Sequence, residues 1–176
     1  MYLKSYFSGI AMLKLLSFFS FTLLTSLFAE TIMLADRVIL KKSTRMLYLY
    51  SGGEVSSRYH ISLGKEAVGA KEFEGDMKTP EGNYILDWRQ ASLRYNKSIH
   101  ISYPNRRDKA KAKKLGMSAG GMIMIHGTPS SWSLSPLGDW LPMLLDWTDG
   151  CIALSNDDME EVWERVPNGT PITIIP

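Results

Sequence analysis

The chain holds one cysteine, Cys151, and three histidines, His60, His100 and His126. Cys151 follows Thr148-Asp149-Gly150, and His126 precedes Gly127, so each stands where an apolar, β-prone run meets a glycine-containing turn. Junctions of that kind present a side chain outward. A thiol becomes a useful nucleophile when a nearby imidazole takes its proton or stabilises the thiolate, and the backbone N–H groups of a tight Gly-Cys turn can hold an oxyanion. The chemistry implied is acyl transfer through a thioester. Two other readings compete: a small buried core cysteine, common for this residue type, and a metal site. Zinc wants more ligands close together, whereas His60 and His100 fall in separate predicted strands, so no metal and no cofactor are expected. His60 reads as a strand residue. His100, just ahead of Ile101-Ser102-Tyr103-Pro104, reads as packing more than as a groove residue.

The elements that must position this pair are mostly strands. Arg37 to Lys41 and Met46 to Tyr50 are short β-prone runs, and Ser51-Gly52-Gly53-Glu54 is a turn leading to a further strand over Val55 to Leu63. A glycine-rich stretch from Gly64 to Gly82 follows, then strands over Asn83 to Trp88 and Ser98 to Ser102. Asp108 to Leu115 has helix-favouring composition and stops at Gly116. Its lysines, with Arg106 and Arg107, read as a solvated face, because no aromatics interleave with the charges. Gly121 to His126 is a buried strand ending on the histidine. Gly127 to Trp147 is a long connection suited to a lid or groove wall, with a short helix near Trp140 to Leu145. Its tryptophans Trp132, Trp140 and Trp147 are candidates to line the groove, with loop packing as the default. Cys151 to Leu154 is a short strand. Ser155 then caps a helix whose first turn holds Asp157 and Asp158 and which ends near Pro167, and Pro171 to Ile175 closes the chain as a strand.

The start of the 176-residue chain differs from the rest: Lys4 and Lys14 accompany the apolar run Leu15 to Ala29. That layout is a secretory signal, expected over residues 1–29, with an uncleaved anchor as the weaker reading because the run is short for a bilayer. Met12 offers a second start site. Without Lys4 and Lys14 the formal charge of +2 falls to neutrality, which gives no reason to expect a nucleic-acid partner. Residues 30–176 have one domain's length, enough for a core without staples. A lone cysteine forms no intramolecular disulfide, although an exported protein would be allowed one.

His126-Gly127 followed by Thr148-Asp149-Gly150-Cys151-Ile152 resembles the motif of YkuD-type L,D-transpeptidases, cysteine enzymes of peptidoglycan. The resemblance spans nearly all of residues 30–176 and includes Lys71 to Gly82 (KEFEGDMKTPEG) and Ile101 to Asn105 (ISYPN). It implies a mainly β, two-sheet sandwich-like catalytic domain with a few short helices, Cys151 as nucleophile, and His126 as base oriented through a backbone carbonyl. It also implies substrate or oxyanion contacts at Gly127, Thr148 and Gly150, with the Gly150 and Cys151 N–H groups as donors. Asp149 could tune the imidazole or merely stabilise the turn. Asp149 stands where the family often has histidine, and Ala153 where it often has arginine. The second departure bears on acyl-donor recognition more than on Cys-His chemistry, and alanine is usual there in one branch. The implied partners are peptidoglycan peptide stems, with a wall-attached protein as a second acceptor class and the membrane met only through an uncleaved N-terminus. The implied place is the periplasm or cell envelope. A hydrolase on the same site, either a carboxypeptidase or an amidase-type murein enzyme, and a wall-binding module without catalysis are the alternatives.

Overall fold

The computed structural model describes residues 32–134 and 142–176; the expected signal over 1–29 and Trp140 lie outside the described residues. The described residues form eight strands: β1 (Arg37–Lys41), β2 (Met46–Ser51), β3 (Glu54–His60), β4 (Gly82–Ser92), β5 (Asn96–Ile101), β6 (Met124–His126), β7 (Ile152–Ala153) and β8 (Thr170–Ile175). Alternation sets their faces, as in β1, where Val38 and Leu40 are buried between the exposed Arg37 and Lys41. The same period puts Leu47 and Leu49 of β2 and Ile172 and Ile174 of β8 into one core with Leu86, Ile99, Ile101 and Ile125. Each such side chain contributes about 1.5–3 kcal/mol on burial.

The strands hydrogen-bond in the order β3-β2-β1-β8-β4-β5-β6-β7. The last strand in sequence, β8, sits in the middle, parallel to β1 and antiparallel to β4. The two ends of the series meet: Ser62, just beyond β3, exchanges backbone hydrogen bonds of 2.9 and 2.9 Å with Ala153 of β7. The fold is mainly β with a few short helices, as the resemblance implies, and β8 links the two expected sheets into one curled hydrogen-bonded series whose ends meet at Ser62 and Ala153.

Among the described residues there are two α-helices, α1 (Arg106–Lys114) and α2 (Asn156–Arg165), with α2 packed against β5. Helix α1 begins two residues earlier than its composition suggests. Asn105 caps it, accepting from the Arg107 and Asp108 N–H groups, and Asp108 returns a bond to the Asn105 N–H. Ser155 caps α2 as expected, its Oγ accepting from the Asp158 N–H at 3.1 Å. Strand β6 is shorter than its apolar run, and β4 is longer than expected. Between Leu86 and Arg89 the β4–β5 register slips by one residue, a β-bulge.

Candidate active site

His126 ends β6, and its position is set by the sheet: β5 lies on one side, where Ser98 pairs with it, and β7 on the other, where Ala153 does. The imidazole is buried, 4% exposed, and its Nδ1 lies 2.7 Å from the Gly127 carbonyl oxygen. A carbonyl only accepts, so Nδ1 carries the proton and Nε2 keeps its lone pair in the neutral ring. Tyr95, in the β4–β5 turn, tilts over the imidazole at 4.6 Å between ring centroids. Trp147 meets the imidazole edge-on at 5.7 Å, and Trp132 packs against Trp147 at 4.7 Å.

Cys151 is held at the end of a turn built by its neighbours. Thr148 Oγ1 accepts from the Gly150 N–H at 3.1 Å and donates to the Cys151 carbonyl at 2.7 Å, while the Thr148 backbone is tied to Leu63 and Lys65. The Gly150 N–H, expected as an oxyanion donor, is therefore engaged inside the turn. Gly150 has φ +125°, and a Cβ there would stand 2.7 Å from the Lys78 carbonyl oxygen, so the position demands glycine. At Gly127 a Cβ would meet Asn156 Oδ1 at 2.3 Å and the Tyr95 carbonyl at 3.0 Å. Both glycines are buried by close backbone approach and do not line the groove.

The Cys151 thiol accepts from the Met124 N–H at 3.5 Å and donates to the Met122 carbonyl at 3.7 Å. It opens into a groove of about 820 Å³ whose walls include His126, Ser98, Met124, Tyr95, Trp147 and Asp149. Thus Cys151, His126, Thr148 and Asp149 share one cavity, although 25 positions of sequence separate the thiol from the imidazole. Burial lowers the His126 pKa against the raising effect of the Gly127 carbonyl. Burial also raises the Cys151 thiol; the Met124 N–H and Lys71 oppose this, and Asp149 adds to it. Both shifts favour the uncharged form of the residue concerned. Asp149 is exposed and turns its carboxylate to Lys65 Nζ at 2.8 Å, away from any imidazole contact.

Two features here escape sequence reasoning. Tyr95 comes to His126 only because the β4–β5 hairpin folds its turn over β6. Lys71, 5% exposed, forms an ion pair of 2.7 Å with buried Asp76, which also accepts from the Glu72, Phe73 and Lys78 N–H groups. This clamp orders the glycine-rich loop whose Met77 and Lys78 carbonyls press on Gly64 and Gly150. Ala153, in the place where an arginine is frequent, is fully buried in the ladder between His126 and Ser62.

Residues 35–174 match the model of the L,D-transpeptidase catalytic domain (YkuD). The chain is 28% identical over 134 residues to YafK of Escherichia coli (strain K12), a candidate L,D-transpeptidase, covering 74% of this chain and 46% of that protein. It is similar to the crystal structure of the helical cell shape determining protein Pgp2 from Campylobacter jejuni, at TM-score 0.58 and 28% identity, covering 81% of this chain and 50% of that one. Bd1075 of Bdellovibrio bacteriovorus shares the fold at TM-score 0.54 and 24% identity, over 82% of this chain and 51% of that one. The chain spans about half the length of these relatives.

Proposed function

Since the chain belongs to the YkuD family of L,D-transpeptidase catalytic domains, we propose that it forms peptidoglycan cross-links through a Cys151 thioester. The observation that carries this reading is that the thiol shares one groove with an imidazole whose Nδ1 is committed to the Gly127 carbonyl, which leaves Nε2 available as a base.

In the first half-reaction His126 Nε2 takes the Cys151 proton as the sulfur attacks the carbonyl of the L-centre of a diamino acid in a peptide stem. The Cys151 N–H supports the oxyanion, the Gly150 N–H being used within the turn. Collapse breaks the C–N bond; His126 gives its proton to the departing terminal D-alanine, and a thioester remains. An amine of a second stem then attacks the thioester and passes a proton to His126. The sulfur leaves and regains that proton. Catalytic hydrogen bonds in a ligand-free site are commonly loose, and the thiol's present bonds to the Met124 N–H and the Met122 carbonyl give way to one with His126 when substrate fills the groove. Export, supported by the charged and apolar start of the chain, brings the domain to its polymer.

The test is mass spectrometry of peptidoglycan fragments incubated with the protein and with Cys151→Ala. Dimers joined between two diamino residues, made only by the unaltered protein, are expected. Cys151-dependent loss of D-alanine without dimers would assign a carboxypeptidase instead, and no Cys151-dependent product would leave a wall-binding module.

A further inference from the structure

The proposed reaction leaves His100 without a task. The bulge in β4 sets two residues, Asp87 and Trp88, against this one residue of β5, since Leu86 pairs with Ile101 and Arg89 with Ile99. Bulges re-aim side chains, and they are frequent beside active sites. Here the Asp87 carboxylate lies 2.7 Å from His100 Nδ1, and the Trp88 ring stacks on the imidazole at 4.7 Å with 14° between planes. An ionised carboxylate only accepts, so His100 Nδ1 donates to Asp87.

This cluster lies on the face that carries the groove. Across β5 and β6, Ser98 pairs with His126 and His100 with Met124. Directly opposed residues, and residues two apart on a strand, point to one side. Ser98, Met124 and His126 all line the groove, as does Gln90, two residues beyond Trp88. Met124 is also the residue whose N–H holds Cys151 Sγ at 3.5 Å. With neighbouring strands ~4.8 Å apart, the His100 backbone stands within about 10 Å of the sulfur.

The cluster presents a partly exposed carboxylate and the π system of an indole, with the His100 imidazole held between them. An anionic group would meet the Asp87 charge. A primary ammonium offers three donors and one positive charge, and an aromatic face adds to its attraction. We propose that Asp87, Trp88 and His100 form a recognition site for a primary ammonium group, that of the amine acceptor which resolves the thioester. The identity of the ammonium as the acceptor rests on the transpeptidase reading; the preference for an ammonium does not.

Calorimetric titration of the full chain with acetyl-alanyl-glutamyl-lysine amide, and with the same peptide acetylated on the lysine Nε, tests the site. Neither probe carries a terminal D-residue to expel, so the result is independent of thioester chemistry. The free amine is expected to bind about tenfold tighter, the scale of a charge-assisted hydrogen bond. Asp87→Asn and, separately, His100→Gln should bring the ratio of the two affinities close to one. Asp87 is partly exposed and Asn keeps its shape; if either variant fails to fold, the other reads the same ratio. Equal binding of the two probes by the unaltered protein, or a preference that survives in the folded variants, overturns the proposal. Failure of cross-linking beside an intact amine preference would instead overturn the transpeptidase reading alone.

Discussion

Burial pushes both members of the Cys151–His126 pair toward their uncharged forms, the imidazole downward and the thiol upward in pKa. In the proposed mechanism the nucleophile is generated as the proton moves to Nε2 during attack, in contrast to sites that store a thiolate beside an imidazolium. Free Cys151 should therefore react with iodoacetamide slowly at neutral pH, with a midpoint above the ordinary thiol range. The Lys71 ammonium opposes the upward shift of the thiol. Lys71→Met should move the alkylation midpoint still higher, measured as rate against pH in folded protein. A midpoint that stays put while thermal stability falls would reduce Lys71 to a structural post for its loop. Cys151 and His126 stood out as candidates because residue type and turn context are local, and the fold brings both to one groove. Lys71 did not: its importance comes from a buried partner five residues on and from a thiol eighty positions away, neither of which its neighbours in sequence announce.

The turn that carries Cys151 depends on three stretches of backbone that meet at two glycines. A Cβ at Gly64 would lie 2.1 Å from the Met77 carbonyl oxygen, and one at Gly150 would lie 2.7 Å from that of Lys78. Gly150→Ala thus suffers twice, from a positive φ of +125° and from a backbone clash. It should lower Tm by on the order of 5 °C and turnover by more than about tenfold, since a displaced turn misplaces the thiol. Gly169, with φ +92° and open space around it, isolates the first effect: Gly169→Ala should cost stability but little activity. Equal turnover in the two variants would contradict the clash. Alternating strands and the Ser155 cap were readable from local pattern. The bulge at Asp87-Trp88 was not, because it follows from the fit of β4 to β5 and leaves both sequences strand-like. The early start of α1 was hidden for another reason: the reciprocal Asn105–Asp108 bonds lie ahead of the lysine-rich pattern that drew attention.

Curling of the sheet until Ser62 meets Ala153 sets Cys151 beside β6, and it encloses His126 between strands on both sides. That enclosure couples the site to the stability of the whole molecule. The folded His126 pKa lies below the unfolded value of 6.5, so under that pH the unfolded chain binds more protons at this residue. Stability must fall as pH drops through 6.5, and the fall ends at the folded value. Asp76 acts lower on the scale. Burial raises its carboxyl, but Lys71 and three backbone N–H donors outweigh that and hold it below the ordinary 3.8. Its stabilisation, complete above 3.8, is lost as pH falls from there toward the folded value. A plot of Tm against pH from 8 to 3 should therefore descend in two stages. His126→Gln, whose amide can still donate to the Gly127 carbonyl, should flatten the first stage and leave the second. An unchanged first stage in that variant would mean that another group takes up the proton, and that enclosure of His126 by the curled sheet carries no cost in stability.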